Sequence, residues 1–220
     1  MDEKYISNSY RNSWTLSVYY GMRLLVFIAA AFSVYERNWT LAIPTILIGI
    51  MMMIPSLLHM RYRFYFPFAL DFGIVTFTFL TLFLGHIRDF YNAVPNWDKF
   101  LHFQSGILFA VAGFVLVYIL NENERVKLDL SPGFVAIFAI AFSITIGVFW
   151  EIGEFIGDSI FNGNWQASLD DTMWDLIADS VGALIVSIIG YVWIRYHKRL
   201  PFTPSFFRIL KQKIKKIEEK

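Results

Sequence analysis

Three carboxylates stand near the end of a long apolar run in this chain of 220 residues. In the stretch "FWEIGEFIGD", Glu151, Glu154 and Asp158 are separated by three and four residues. An α-helix has about 3.6 residues per turn, so this spacing places all three side chains on one helical face. Carboxylates grouped in this way could ligate a hard metal ion or take part in acid-base chemistry.

Two further segments carry polar side chains at the same kind of spacing. In "WDKFLHFQSG", Asp98 and His102 are one helical turn apart, and in "DDTMWDLIADSVGAL", Asp171, Asp175 and Asp179 repeat every four residues. Residues four apart are neighbours on a helix surface. The sequence therefore predicts three helices that each present a polar stripe.

The elements that position these stripes are predicted to be transmembrane helices. The chain is 56% hydrophobic and only 17% charged, which argues against a soluble globular domain. A helix needs about 20 apolar residues to cross a bilayer. Six segments satisfy this requirement, at roughly 16–35, 39–59, 66–85, 97–120, 133–155 and 173–194. We therefore predict an all-α, polytopic membrane protein with six transmembrane helices in one bundle over residues 1–195, and a cytoplasmic tail over residues 196–220.

The distribution of positive charge predicts the orientation of this bundle. If both termini are cytoplasmic, the inner loops and tails hold 16 of the 19 Lys and Arg residues, and only Arg37, Arg88 and Lys99 lie outside. This arrangement obeys the positive-inside rule. The tail sequence "SFFRILKQKIKKIEEK" predicts a basic amphipathic helix on anionic inner-leaflet lipid, although a solvated tail fits it equally well. Cysteine is absent, which excludes disulfides and thiolate metal sites.

In this orientation the three polar stripes meet at the depth of the outer leaflet. Arg88 and Lys99 are the only cations nearby. A charge inside the membrane costs roughly 2.5 kcal/mol or more at the helix centre, so a group of carboxylates there needs a counter-charge. The nine acids predicted in this zone are Asp89, Asp98, Glu151, Glu154, Asp158, Asp170, Asp171, Asp175 and Asp179.

A bound divalent metal ion is the counter-charge that we predict. Carboxylate oxygens favour Mg, Mn or Ca, and a histidine ligand keeps Zn possible. The expected ligands are Glu151, Glu154, Asp171, Asp175, Asp179 and His102. His102 is also the candidate general base, oriented by Asp98, and Lys99, Trp150 and Asp158 are the candidate substrate-binding residues. Asp71 is predicted to pair with Arg23 or Arg195, away from this site.

A three-part motif runs through the last three apolar segments. It reads Asp98-x-x-x-His102-Phe103, then Trp150-Glu151-x-x-Glu154, then Asp171-Thr172-x-x-Asp175-x-x-x-Asp179-x-x-Gly182. This motif resembles that of the YjdF-type family of small bacterial inner-membrane proteins, and "DKFLHF" is similar to the opening motif of the more distant VanZ-like proteins. The resemblance implies a bacterial plasma-membrane location and a shared polar site, and it names no substrate.

Three functions are compatible with these features. The first is a metal-dependent hydrolase or transferase that acts on a lipid or lipid-linked substrate in the outer leaflet. The second is a non-catalytic lipid-binding or assembly protein with a structural ion, and the third is a transporter coupled to cations or protons. A nucleic-acid partner is not expected, and the oligomeric state does not follow from the sequence.

Overall fold

The computed structural model describes residues 13–62, 68–121, 130–161 and 165–197, and all regular structure in these ranges is helical. The elements are α1 (Ser13–Tyr35), α2 (Trp39–Tyr62), α3 (Phe68–Thr78), a π-helical segment (Phe79–Ile87), α4 (Phe90–Ala93), α5 (Trp97–Asn121), α6 (Pro132–Phe161) and α7 (Leu169–His197). The predicted all-α class is confirmed. The predicted amphipathic helix of the tail, residues 205–220, lies outside the described ranges.

Among the described residues, five helical stretches are long and apolar enough to cross a membrane, and a shorter apolar stretch covers Trp39–Ile54. The five are Trp14–Tyr35, Leu70–Ile87, Trp97–Val117, Pro132–Ile160 and Leu169–His197. The fold is thus an all-helical one whose five to six apolar helices are compatible with a membrane bundle. The count of six crossings and the cytoplasmic placement of both termini stay predictions.

The helices that carry the acidic stripes are longer than their apolar cores. α6 continues to Phe161, beyond the predicted end at 155, and α7 begins at Leu169, before the predicted start at 173. Ser168 caps α7, because its hydroxyl accepts the backbone N–H of Asp171 at 3.1 Å. Hydropathy along the sequence shows where a helix leaves the hydrocarbon core of the bilayer, whereas the capping residue determines where the helix itself begins.

The helices α1 to α4 and the π-helical segment belong to one compact unit. Its core includes the buried side chains of Val26, Met52, Val75 and Phe79. Burial of such apolar side chains in a close-packed interior stabilises the unit. The π-helical geometry is visible in the backbone, since the N–H of Arg88 donates to the carbonyl five residues back, at 3.0 Å.

A polar network is buried in this first unit. The guanidinium of Arg23 donates to the carbonyl oxygen of Met52 at 2.7 Å and to the hydroxyl of Ser56 at 3.1 Å. The same guanidinium lies 4.2 Å from the ring centroid of Tyr19, a cation–π distance. The Tyr19 hydroxyl donates to the carboxylate of Asp71, whose oxygens are 3.0 and 3.1 Å away. Arg195, the other predicted partner of Asp71, donates instead to the hydroxyl of Tyr191 at 2.7 Å.

The second compact unit consists of α5, α6 and α7, which pack against one another in pairs. A Cβ atom on Gly106 would overlap the backbone carbonyl of Asp179, and a Cβ on Gly182 would overlap that of Phe103. The backbones of α5 and α7 are therefore in direct contact at this level. Ser143 of α6 donates its hydroxyl to the Gly106 carbonyl at 2.9 Å, which joins the third helix to the same point.

The direction of the helices in this unit follows from their contacts. Gly182 and then Gly190 of α7 lie against Phe103 and then Phe114 of α5, so these two helices run parallel. α6 runs against them, because Ser143 reaches Gly106 while the earlier residue Ala139 lies against the later Gly113. The start of α5, the start of α7 and the end of α6 consequently lie at the same end of the unit.

The assignment of residues 1–195 to a single transmembrane domain is not tested by the division into two units and stays a prediction.

Candidate functional site

His102 lies at the centre of the polar residues that α5, α6 and α7 bring together. Its Nδ1 atom is 3.0 Å from Oδ2 of Asp179. Its Nε2 atom is 3.5 Å from Oε1 of Glu151 and 3.9 Å from Oδ1 of Asp98. An ionised carboxylate only accepts hydrogen bonds, so Nδ1 carries the proton that faces Asp179. Nε2 also faces two carboxylates, and it acts as an acceptor or a ligand only when the imidazole is neutral. The sequence predicted that Asp98 orients the imidazole ring, but Asp98 lies on the Nε2 side. The carboxylate that is hydrogen-bonded to Nδ1, and so fixes the ring, belongs to Asp179.

Asp179 is itself held in place by a side chain that sequence reasoning missed. The hydroxyl of Ser105 is hydrogen-bonded to Oδ1 of Asp179 and lies 2.9 Å from the carbonyl oxygen of His102. Ser105 and Asp179 are both buried. The sequence did hold one signal of this role: Ser105 is three residues beyond His102, which places both side chains on one face of α5. A buried carboxylate with partners on both oxygens is fixed in orientation.

Asp175 and Lys99 form a second group beside His102. The ammonium of Lys99 is ion-paired with Asp171 and lies 3.5 Å from Oδ1 of Asp175. Asp175 is only 2% exposed, whereas the side chains of Lys99 and Asp171 are 28% and 24% exposed. Lys99 therefore reaches inward from the edge of the unit and partly neutralises a deeply buried carboxylate.

Two buried oxygens in this cluster lack a hydrogen bond. Oε1 of Glu151 and Oδ1 of Asp175 have no hydrogen-bond partner among the described residues. Leaving a buried polar atom without a hydrogen bond costs roughly 1–3 kcal/mol, and more when the group is charged. Each oxygen does lie 3.5 Å from a nitrogen, that of Glu151 from Nε2 of His102 and that of Asp175 from Nζ of Lys99, so each has an electrostatic contact but keeps a hydrogen-bond acceptor position unused.

Asp98, His102 and Asp175 offer three ligand atoms that all lie within 4.8 Å of one another. Oxygens on opposite sides of an ion are about 4.2 Å apart for Mg and about 4.8 Å apart for Ca, given their usual bond lengths. The three atoms thus have the separation that a hard divalent cation requires, with at most a small contraction for Mg or Mn. Glu151 is adjacent, through its contact with Nε2.

The charges of this group do not balance. The cations among its members are Lys99 and, when it is protonated, His102. The five carboxylates of the group belong to Asp98, Glu151, Asp171, Asp175 and Asp179. Uncompensated negative charge is costly in an apolar helical unit, so this arrangement favours the binding of a cation.

Three predicted site residues lie apart from this group. Nε1 of Trp150 donates to Oε1 of Glu154 at 2.9 Å, on an exposed part of α6. Asp158 accepts the backbone N–H groups of Trp165 and Gln166 at 2.8 and 2.9 Å, which closes the connection between α6 and α7. Within the described residues, no hydrogen bond or ion pair of Glu154 or Asp158 reaches His102. Asp158 is seven residues beyond Glu151, which is about 10 Å along the helix axis.

Of the other acids predicted for the outer zone, Asp170 is exposed on α7. Asp89 belongs to the first unit, where its carboxylate accepts the side-chain amide of Asn92 at 2.6 Å. The hydrogen bonds and ion pairs among the described residues thus connect five of the nine predicted acids to His102 or Lys99, and the outer zone and the roles proposed for its members stay predictions.

Comparison with known proteins gives a family. Residues 15–196 match the family described as "Predicted membrane protein (DUF2238)". A protein of Thermotoga maritima with the name "Uncharacterized protein" is 38% identical over 114 residues, which make up 51% of this chain and 57% of that relative. The alignment thus spans just over half the length of the relative. No solved structure matches.

The family match agrees with the resemblance to YjdF-type proteins, while the likeness to VanZ-like proteins stays a prediction. The residues matched to the family include the three helices that carry the acidic stripes, α5, α6 and α7. Together with the apolar helices, the family match makes this chain a multi-pass membrane protein. The chain belongs to the DUF2238 family of predicted membrane proteins.

Proposed function

We propose that this protein is a metal-dependent hydrolase or transferase of the bacterial plasma membrane that acts on a lipid or lipid-linked substrate. The observation that carries the proposal is the setting of His102. Asp179 holds Nδ1 at 3.0 Å, and Nε2 faces Glu151 and Asp98. Histidine ligands of catalytic metals are commonly held in this way, with a carboxylate on the nitrogen that does not bind the ion.

The ion would be held by Asp98, His102 and Asp175, whose ligand atoms lie within 4.8 Å of one another. Such a donor set suits Mg, Mn or Ca, and the imidazole also allows Zn. A bound divalent ion would supply an activated water and would polarise the phosphoryl or carbonyl oxygen of the substrate. Asp179 is assigned to orientation, because its oxygens are bonded to His102 and Ser105.

Glu151 is the residue best placed to move a proton. Its Oε1 atom is buried, has no hydrogen bond and lies 3.5 Å from Nε2 of His102. A general base must reach the attacking water directly, and an unpaired carboxylate oxygen inside the cluster meets that requirement. In hydrolysis the water oxygen would bond to the phosphorus or acyl carbon as the ester bond breaks. Glu151 would pass the water's proton to the leaving oxygen.

The distribution of charge along the chain supports a site at the outer leaflet. Sixteen of the 19 Lys and Arg residues fall on the cytoplasmic side if six helices cross with both termini inside. In that topology the starts of α5 and α7 and the end of α6 face outward. An ester just beneath the lipid headgroups would then lie at the depth of His102. The tail at residues 196–220 would lie on anionic inner-leaflet lipid.

Burial favours a second candidate, a lipid-binding or assembly protein with a structural ion. His102, Glu151 and Asp175 are between 2% and 7% exposed, and a catalytic ion needs an open coordination position.

The transporter is less well supported. Gly106 and Gly182 lie one turn or less from the cluster and are in backbone contact with the facing helix, which leaves no polar route between α5 and α7 at that level.

Turnover by reconstituted protein tests the proposal. The protein would be placed in phospholipid vesicles with Mg, Mn, Ca or Zn, and released fatty acids and headgroups would be measured by mass spectrometry. We expect ion-dependent release that falls by about 100-fold or more in His102→Ala, because the loss of a general base or metal ligand typically has this size. Asp158→Asn should keep most of the rate. A wild-type protein that retains its ion and releases nothing would favour the structural-ion protein.

A further inference from the structure

A groove of about 400 Å³ lies between α5 and α7 in the second unit. Its apolar lining consists of Phe103, Trp174, Ile177, Ala178 and Val181. Val181 is seven residues beyond Trp174 on α7, so the groove extends about 10 Å along that helix. Its volume is in the usual range for a small-molecule site.

The groove is open on the outer side of the helix pair. Trp174, Ile177 and Val181 are 55%, 45% and 44% exposed. α5 and α7 are among the helices that are long and apolar enough to cross a membrane. A groove on the surface of two membrane-spanning helices is bathed in lipid chains, so a hydrocarbon chain is the occupant that its surroundings supply.

One end of the groove is polar, and this end adjoins the candidate metal site. Asn96 and Lys99 line the groove where α5 begins. Lys99 is the same residue that pairs with Asp171 and lies 3.5 Å from Asp175, a candidate metal ligand. The groove and the carboxylate cluster thus share Lys99 as their boundary.

Lys99 also gives the groove a preference for an anionic head. An ammonium has three donors and Lys99 is 28% exposed, so a donor remains available for a ligand in the groove. A divalent ion on Asp175 would engage that carboxylate and leave Asp171 as the main counter-charge of Lys99. The ammonium could then bind a phosphate, for which lysine is a common partner.

We propose that this groove binds one acyl chain of a membrane glycerophospholipid, with the phosphate of that lipid on Lys99. This inference rests on the proposed function, since it names a phospholipid as the substrate class. The lipid would enter sideways from the bilayer with its chain against Ile177 and Val181. Its ester groups would then lie within reach of Asp175 and His102.

Photolabelling of the full chain tests the proposal. The reconstituted protein would be irradiated with a phosphatidylglycerol that carries a diazirine on one acyl chain, and the labelled peptides would be mapped by mass spectrometry. We expect labelling concentrated on residues 174–181 and around Phe103. Val181→Trp fills the groove and should lower this labelling by about tenfold, the size of a typical overpacking effect. Val192→Trp is the matched control, because Val192 is on the same helix, is also 44% exposed and does not line the groove.

Two further measurements make the result decisive. Lys99→Met removes the ammonium and should lower labelling by about threefold, as expected for a partly exposed ion pair. Bound metal, measured in the same samples, should be unchanged in Val181→Trp. Equal labelling of Val181→Trp and Val192→Trp, or preferential labelling by a diazirine polyprenyl phosphate, would overturn the phospholipid groove. Groove labelling in a wild-type protein that binds no ion would instead contradict the proposed metal-dependent function.

Discussion

The two compact units both bury charged side chains, and they do so with opposite balances. In the first unit one cation, Arg23, accompanies one acid, Asp71, and Tyr19 connects them. In the second unit five carboxylates accompany Lys99 and a histidine. In the first arrangement the charges of Arg23 and Asp71 cancel, although Nε of Arg23 is buried without a hydrogen bond among the described residues. The second needs a further positive charge, which is why it is the candidate for ion binding and the first is not.

The comparison separates structural from functional polarity in membrane helices. Hydrogen bonds between buried polar side chains join helices, as Arg23 does when it donates to Met52 and Ser56. Acidic residues that outnumber the cations around them do not stabilise helix packing, because burying each uncompensated charge costs free energy. The presence of Oε1 of Glu151 and Oδ1 of Asp175 without hydrogen bonds is therefore more informative than the number of acids.

Removal of a candidate ligand should have the largest effect. Asp175→Asn takes away a buried charge from the group that would hold the ion, and we expect ion affinity to fall by more than about 100-fold, above the loss typical of a residue that only supports a ligand. Isothermal titration with Mn and Ca in detergent would measure this. Asp158→Asn is the control, because that carboxylate is bonded to the backbone of residues 165 and 166. Equal affinities for the two variants would contradict the assignment of Asp175.

Loss of the residue that orients His102 should have the next largest effect. Asp179→Asn keeps the shape of the side chain and removes its charge, so Nδ1 of His102 loses its ionic acceptor. We expect a reduction in ion affinity of about 10–100-fold. Ser105→Ala should reduce affinity less, since Ser105 acts only through Asp179. If Asp179→Asn weakened binding as much as Asp175→Asn, Asp179 would be a ligand itself, as the sequence suggested.

The close contact beneath the site predicts a stability difference between two glycines. Gly182→Ala would push a methyl group into the backbone carbonyl of Phe103 and should lower the free energy of unfolding by about 1–3 kcal/mol. Gly153→Ala meets no atom within 4 Å and should be neutral or stabilising by up to about 1 kcal/mol. Thermal unfolding in detergent would measure both. Similar melting temperatures for the two variants would argue against the backbone contact between α5 and α7.

The smallest effect on ion binding is expected in the first unit. Asp71→Asn removes the charged acceptor of the Tyr19 hydroxyl and should destabilise the protein by about 1–2 kcal/mol. Ion affinity should change by less than about twofold, because Asp71 belongs to a different compact unit from the candidate ligands and independent sites add without coupling. A large loss of ion in Asp71→Asn would remove the distinction between the two units.

The sequence predicted those features that depend on local periodicity. Apolar length identified the helices, and spacing identified the stripes that place Asp98 beside His102 and align Asp175 with Asp179. The helix ends were predicted less well, because hydropathy does not register the cap at Ser168.

The spacing within a single helix does not show how deep each polar side chain lies in the bundle or which side chain on a neighbouring helix it contacts. Glu151, Glu154 and Asp158 share a face, yet of the three only Glu151 makes a described ion pair with His102. Asp179 rather than Asp98 orients the imidazole because the contact between Gly106 and the backbone of α7 sets the register of the two helices. Ser105 was missed for the same reason, since its role depends on a residue 74 positions away.

The metal content of detergent-purified protein tests the central claim most directly. Inductively coupled plasma mass spectrometry would be applied to the wild type, to Asp175→Asn and to Asp71→Asn, after equilibration with Mg, Mn, Ca and Zn. The account predicts close to one divalent ion per chain in the wild type and in Asp71→Asn, and little or none in Asp175→Asn. Absence of any bound ion from the wild type, or equal ion content in all three proteins, would contradict it.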